Sequence, residues 1–346
     1  ADWDFIDETY IGSDDAWGLN DSENSGYPFL KWQGYTHTAT FDCQAPLNPS
    51  SNIIFGEIKA DSVLIDSIAK GGYITTGYVI YANSENTFVA PTDDSEPTAN
   101  TIWQNSGQQC VYIGAIQKAN TWVSSLSPGT KYYFKVYAYN ECSGLKKYEK
   151  TGIEAVKTTV PAGEGTLDNP YVIATLDNLE WLMQNQAYWN KHFIQTADID
   201  ARSTKNWNEG NGITEIGTSD IPFSGTYNGK GHTIDSLYTK NSYTAFFGYT
   251  STATIIDSLG LTNINFNTSG WTGSIVMYNY GTIRNSFATG TIYAPNAERV
   301  GGLVSHNVNN NAKLINCYSR VDITAKNYAG GIAGFDNDSY ITNCYS

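Results

Sequence analysis

Gly301-Gly302-Leu303-Val304, followed eleven residues later by Ile315-Asn316-Cys317-Tyr318-Ser319, is the stretch on which the reading of this chain turns. Both strings return one step downstream, as Gly330-Gly331-Ile332-Ala333 and Thr342-Asn343-Cys344-Tyr345-Ser346. Upstream they are preceded by Gly273-Ser274-Ile275-Val276 and Arg284-Asn285-Ser286-Phe287, and less regularly by Phe246-Phe247-Gly248-Tyr249, Ile256-Asp257-Ser258-Leu259 and Ile234-Asp235-Ser236-Leu237. Aligned this way, the Asp/Asn positions lie 22, 28, 31 and 27 residues apart. One column is Asp or Asn, the next is small, and the third is large and apolar. Short alternating strands such as Ile264-Asn265-Phe266 and Val321-Asp322-Ile323 lie between these anchors.

A period near 27 with glycine corners and several short strands describes a solenoid coil. One coil cannot bury its apolar face alone, whereas stacked coils share a core and pair each other's strand edges. Leucine-rich repeats have a similar length, but their leucine pattern is not visible here. A right-handed parallel β-helix is therefore expected over 161–346.

These strings resemble the GLUG motif, a repeat of large bacterial surface proteins and of some secreted immunoglobulin-protease precursors. Two upstream segments are similar to proteins of the same type: Gly163 to Ile173 leading into Leu179-Glu180-Trp181-Leu182, and Phe223 to Ile234 with its Asn228-Gly229-Lys230-Gly231-His232 turn. The double glycine is lost at Phe246–Tyr249 and Gly273–Asn279. The resemblance implies that Gly301, Gly302, Gly330 and Gly331, with Asn285, Asn316 and Asn343, are structural. Residues 176–188 read as one helix, with Asp177 as N-cap and Glu180 at N3, covering the open edge of the first coil.

The stretch 35–160 carries short strands between turn signals, the pattern of a β-sandwich. Leu126-Ser127-Pro128-Gly129 followed by Tyr132 to Asn140 resembles the E–F corner and F strand of a fibronectin type III domain. In that family Tyr132 would be the corner tyrosine. Thr76–Tyr81 and Ile153–Thr159 would then be strands C and G. The family's strand B tryptophan is absent, with Ser62–Ser67 in its place, and 83–110 is long for a C-to-E connection. Residues 1–34, with Trp3, Trp17 and Trp32, resemble the closing segment of a preceding solenoid, so the chain is expected to be cut from a longer alternating array.

Composition narrows the function classes. The net charge of −14 with a pI near 4.6 repels phosphate backbones, so no nucleic acid is expected. No run of about 18 apolar residues occurs, so no membrane insertion is expected. The cysteines are odd in number and lack CxxC spacing, which argues against a zinc or redox motif. A Cys110–Cys142 disulfide is the expectation, with Cys43 free or paired with one of them instead. Cys317 and Cys344 share a column of adjacent coils, and their rung spacing of about 4.8 Å favours stacked thiols over a bond.

Catalytic constellations are sparse. The histidines 37, 192, 232 and 306 are scattered. Asp235 and Asp257, read as stacked in one column, are the weak metal candidates, and calcium is the ion they would suit. Asp198 and Asp200 point to one side of a strand. Trp207, Trp271, Tyr278 and Tyr280 stand in Gly- and Asn-rich stretches and are the candidates for glycan binding. The expected function is non-enzymatic: a structural or adhesive segment of an extracellular, surface-attached protein. Its partners would be neighbouring modules, other copies in a fibre, or surface glycans. The alternatives are a carbohydrate-binding accessory region of a secreted enzyme and, more remotely, a β-helix polysaccharide lyase or hydrolase.

Overall fold

The computed structural model describes residues 17–18, 29–30, 43–46, 52–69, 75–115 and 119–346. The expectation for 1–34 lies outside the described residues, apart from a short antiparallel ladder between Trp17–Gly18 and Phe29–Leu30.

The second half is an all-parallel β-solenoid built from three sheets. The first takes one strand from each coil: Tyr171–Ile173, His192–Gln195, Thr226–Asn228, Ile255–Asp257, Thr282–Arg284, Lys313–Ile315 and Tyr340–Thr342. The second runs through Ile199–Asp200, Thr233–Asp235, Gly260–Asn267, Phe287–Gly301 and Tyr318–Gly330. The third stacks Phe247–Tyr249, Val276–Asn279, Val304–Val308 and Ala333–Asn337. Inside them, Tyr227, Ile256, Ile283 and Leu314 form one buried apolar column of the first sheet. Ile234, Leu261 and Ala288 form another, along the second.

The glycine columns are sites of close approach. A Cβ on Gly301 would collide with the carbonyl of Val304, and one on Gly330 with that of Ala333. The chain folds back so tightly between the second and third sheets that only a residue without a side chain fits. Gly273, Gly301 and Gly330 are in register, as the alignment has them. The earlier quartet is displaced, because Phe247, and not Tyr249, pairs with Val276.

The first two rows of the Asp/Asn alignment need correction. Asp235 ends a second-sheet strand, where its neighbours are Asp200 and Thr262. Asp257 ends a first-sheet strand, where its neighbours are Asn228 and Arg284. The two carboxylates are therefore not stacked. A similar apolar-Asp-Ser-Leu corner occurs on two different sides of the solenoid, and the 22-residue spacing joined one side to the other. From Asn285 onward the alignment follows the structure: Phe287 pairs with Tyr318, and Tyr318 with Tyr345.

The one α-helix among the described residues, Leu176–Gln184, covers the first coil, and Leu179, Trp181, Leu182 and Met183 enter the solenoid core. Its cap is Thr175, whose Oγ1 accepts from the Asn178 N–H while the Asn178 Oδ1 accepts from the Thr175 N–H. The expected Asp177–Glu180 box is thus two residues off. Those carboxylates face Lys131 of the preceding module at 3.0 and 2.9 Å.

The described strands between Asn52 and Thr158 form two antiparallel sheets facing each other across a shared core. One is Asn52–Ile58, Ser62–Ala69 and Thr121–Ser124. The other is ordered Ile153–Thr158, Lys131–Cys142, Gly77–Asn83, Gln109–Ala115, with Leu145–Tyr148 added to Lys131–Cys142. Tyr132 sits in the core, its hydroxyl accepting from the Ser127 N–H at 2.9 Å. Trp103 packs edge-on against it, a tryptophan supplied by the long connection instead of strand B.

That connection explains why all seven residues of Gly77–Asn83 are buried and do not alternate. Its first part, through Phe88, Ala90 and Asp93 to Glu96, crosses the outer face of the sheet and covers Tyr81, Cys110, Tyr137, Tyr139 and Tyr148. Acid–base pairs fasten the cover: Glu96 to Lys146, Asp94 to Lys147 and Asp93 to Lys150.

Cys43 is bonded to Cys142, and Cys110 is a free, buried thiol. The expected Cys110–Cys142 bond is geometrically closed off. Cys110 lies opposite Tyr81, and Tyr81 opposite Lys135. Cys142 is seven residues further along that strand, roughly 23 Å away, far beyond disulfide reach.

Candidate functional site

The third solenoid sheet carries an aromatic rib. Tyr249, Tyr278, His306 and Phe335 occupy one register, one residue per coil. Tyr249 and Tyr278 stack with centroids 4.6 Å apart and planes 5° from parallel. Tyr278 and His306 stack at 4.2 Å and 11°. Trp271 leans on this column, 4.8 Å from His306, and Tyr243 meets Trp271 edge-on. The Arg299 guanidinium lies 5.0 Å from the Trp271 ring and 4.8 Å from the Phe335 ring.

His306 is 2 % exposed. Arg299 Nη1 donates to its Nε2 at 3.0 Å, which places the ring proton on Nδ1, directed at Ser305 Oγ at 3.0 Å. Ser305 Oγ in turn donates to the Arg299 carbonyl at 2.6 Å. Burial, reinforced by the Arg299 charge, pushes the imidazole down to about 4. His306 is therefore a neutral packing group at physiological pH.

The four glycan candidates separate. Trp271 and Tyr278 belong to the rib, where burial above all raises the hydroxyl pKa values of Tyr249 and Tyr278, and the nearby Tyr280 adds to the rise. Rings stacked on each other spend their faces within the stack and turn edges outward. Tyr278 offers no free face, and Trp271 is covered by Arg299. Trp207 stands elsewhere, beside the C-terminal end of the helix. The sequence reading missed Tyr249, His306 and Phe335. Their spacing with Tyr278, of 29, 28 and 29 residues, was the available signal.

On the first sheet the carboxylate and amides form a ladder. Asn343 Nδ2 donates to Asn316 Oδ1 at 3.1 Å, Asn316 to Asn285 at 3.2 Å, and Asn285 to Asp257 at 2.9 Å. The three asparagines have φ of 51° to 54°, the left-handed region that asparagine tolerates better than most residues. Asp257 also accepts from Ser258 Oγ and Arg284 Nε, each at 2.9 Å. Partial burial pulls its carboxyl upward, but these donors outweigh it and hold it below the usual range.

Asp235 is similarly filled, accepting from Thr262, Asn263 and Ser236 at 2.6 to 2.7 Å. Asp200 pairs with Arg202, and Asp198 accepts from the Thr233 N–H next to His232. Among the described residues, no three of His, Cys, Asp and Glu gather to hold a metal ion. Cys317 and Cys344 are both free thiols, each donating to the carbonyl two residues back.

Residues 296–324 match the family model described as the GLUG motif. The chain is 34% identical over 155 residues to halomucin of Haloquadratum walsbyi, an alignment spanning 42% of this chain and 2% of halomucin. It is 30% identical over 144 residues to a Gly-rich membrane protein of Evansella cellulosilytica, spanning 40% of this chain and 16% of that protein. The chain thus spans a small part of the length of these relatives. A solved IgA1 protease aligns with 78% of this chain and 23% of its own at 16% identity and a TM-score of 0.32. A redesigned β-sandwich protein aligns with 33% of this chain and 92% of its own at 15% identity and a TM-score of 0.22. Among the described residues, no helix is long and apolar enough to cross a membrane.

Proposed function

We propose that this chain is a structural, non-enzymatic segment of a long extracellular surface protein, a spacer or adhesive stalk in which a fibronectin type III-like sandwich feeds into a GLUG-type solenoid. The observation carrying this reading is where the polar side chains go. Asp235, Asp257 and the asparagine column spend their hydrogen bonds on neighbouring coils, and the aromatic rib spends its ring faces on itself. Such ladders stiffen a repeat against its neighbours and leave little for turnover. The Cys43–Cys142 disulfide favours an oxidising compartment. The fibronectin-like reading is supported by the three-plus-five strand order and by the Tyr132 hydroxyl tied back to Ser127. The partners in this reading are adjoining modules of the same long chain.

Antibodies raised against the chain test the location: intact, unpermeabilised cells that make the full protein should be labelled. Labelling only after permeabilisation would overturn the reading. Incubation with a polysaccharide panel tests the chemistry. Release of shortened products would show an enzyme.

A further inference from the structure

We propose that the pocket beside Trp207 is a subsite for one pyranose ring of a neutral saccharide. The cavity is about 290 Å³ and is lined by Glu180, Met183, Gln184, Trp207, Asn208 and Thr214. That volume lies at the small end for ligand pockets and suits a single ring. Its walls combine an indole and a thioether with two carboxamides and a hydroxyl. A sugar ring has the matching character, with apolar C–H faces and a hydroxyl rim.

The lining also argues against other ligands. It contains one carboxylate and no Lys, Arg or His, so an anion would be repelled. That carboxylate already accepts from Lys131 at 2.9 Å and from Gln184 Nε2 at 3.1 Å, which leaves a weak cation site. A wholly apolar ligand would take the polar lining groups out of water without offering them a hydrogen bond.

Trp207 differs from Trp271 in the way that matters for a sugar. Trp271 is hemmed in by Tyr243, Tyr278, His306 and Arg299. Trp207 packs partly buried against the solenoid core, but among the described residues no aromatic ring stacks on it. Trp207 is also held firmly. Its N–H donates to the Thr204 carbonyl at 3.0 Å, and its own carbonyl accepts from the N–H groups of Gly210 and Gly212 at 3.0 and 3.1 Å.

The next two residues, Asn208 and Glu209, both have left-handed backbones, with φ of 49° and 58°. Two successive non-glycine residues there cost about 1 kcal/mol or more each. Asn208 Nδ2 fixes the loop by donating to the Gly212 carbonyl at 2.7 Å. Strain held in place at a cavity wall is the kind that marks a binding loop.

Glu180 and Gln184 also line a second cleft of about 850 Å³, between the helix and the sheet edges at Gly56–Ile58 and Val156–Thr158. Further rings of an oligosaccharide would run from the Trp207 pocket around the end of the helix into this cleft.

Titration of the whole chain with neutral mono- and oligosaccharides, followed by Trp fluorescence and indole N–H resonances, tests the assignment. Saturable binding near ~1 mM for a monosaccharide is expected, about tenfold tighter for an oligosaccharide. Trp207→Ala should weaken it at least about tenfold, and Trp271→Ala should leave it unchanged. Gln184→Ala, on the exposed side of the helix, gives the same reading if Trp207→Ala fails to fold. No saturable response to any neutral saccharide would overturn the assignment, as would a response that survives both variants. So would binding of an extended peptide without any saccharide response. None of these outcomes bears on the surface location.

Discussion

Asn316 shows how one residue type serves two needs. Its left-handed backbone turns the corner of the coil, and its side chain donates to Asn285 while accepting from Asn343. Asn316→Ala loses both roles, and urea unfolding should show a loss of roughly 2–4 kcal/mol. Asn316→Gly keeps the turn and loses only the amide contacts, so its loss should be about half as large. Equal losses would mean that the ladder contributes nothing beyond backbone preference. His306 gives a pH-dependent prediction at the same scale. Its pKa is depressed in the folded state, so its full contribution is present above about 6.5. That contribution is lost as pH falls toward about 4, a decrease of about 3 kcal/mol at most. Thermal melts of His306→Phe, the residue type that the next coil carries as Phe335, should fall less steeply over that window.

At the scale of elements, the helix is fastened at both its cap and its flank. Asn178 completes the capping box and donates Nδ2 to the Gly129 carbonyl of the sandwich at 2.7 Å. Thr175→Ala should therefore cost about 1 kcal/mol. Asn178→Ala should cost more, because it also leaves a buried carbonyl unpaired. The sequence made these elements visible to different degrees. The glycine columns were legible because a crowded chain reversal admits no other residue. The rows from Asn285 to Asn343 were legible because the same corner follows successive strands of one sheet, Thr282–Arg284, Lys313–Ile315 and Tyr340–Thr342. The first two rows misled, since Asp235 and Asp257 occupy like corners on different sheets. The disulfide was not legible either. Choosing between Cys43 and Cys110 requires knowing that Cys110 faces Tyr81, far from the end of Lys131–Cys142. The rib was missed because a histidine, two tyrosines and a phenylalanine share a column only once the period is followed through it.

For the whole molecule, the disulfide and the sandwich–solenoid junction set stability and shape. Alkylation without reduction should modify three thiols only, Cys110, Cys317 and Cys344. Cys110 and Cys317 should react slowly, because burial pushes them up to about 11 and about 12. Cys43→Ser with Cys142→Ser should lower stability by about 2–4 kcal/mol. The junction has little slack. The Gly129 N–H donates to the Val160 carbonyl, the Val160 N–H to the Lys59 carbonyl, and the Val172 N–H to the Ala162 carbonyl. The connecting segment is therefore bonded to both modules.

The central claim is that the solenoid is a laddered structural repeat, and single-molecule force spectroscopy tests it most directly. Pulled from its C-terminal end, the solenoid should yield coil by coil. Each step should release the 27 to 31 residues that separate successive first-sheet strands from Ile255–Asp257 onward. Release of the whole second half at the low force of an unstructured chain, with no such steps, would contradict it.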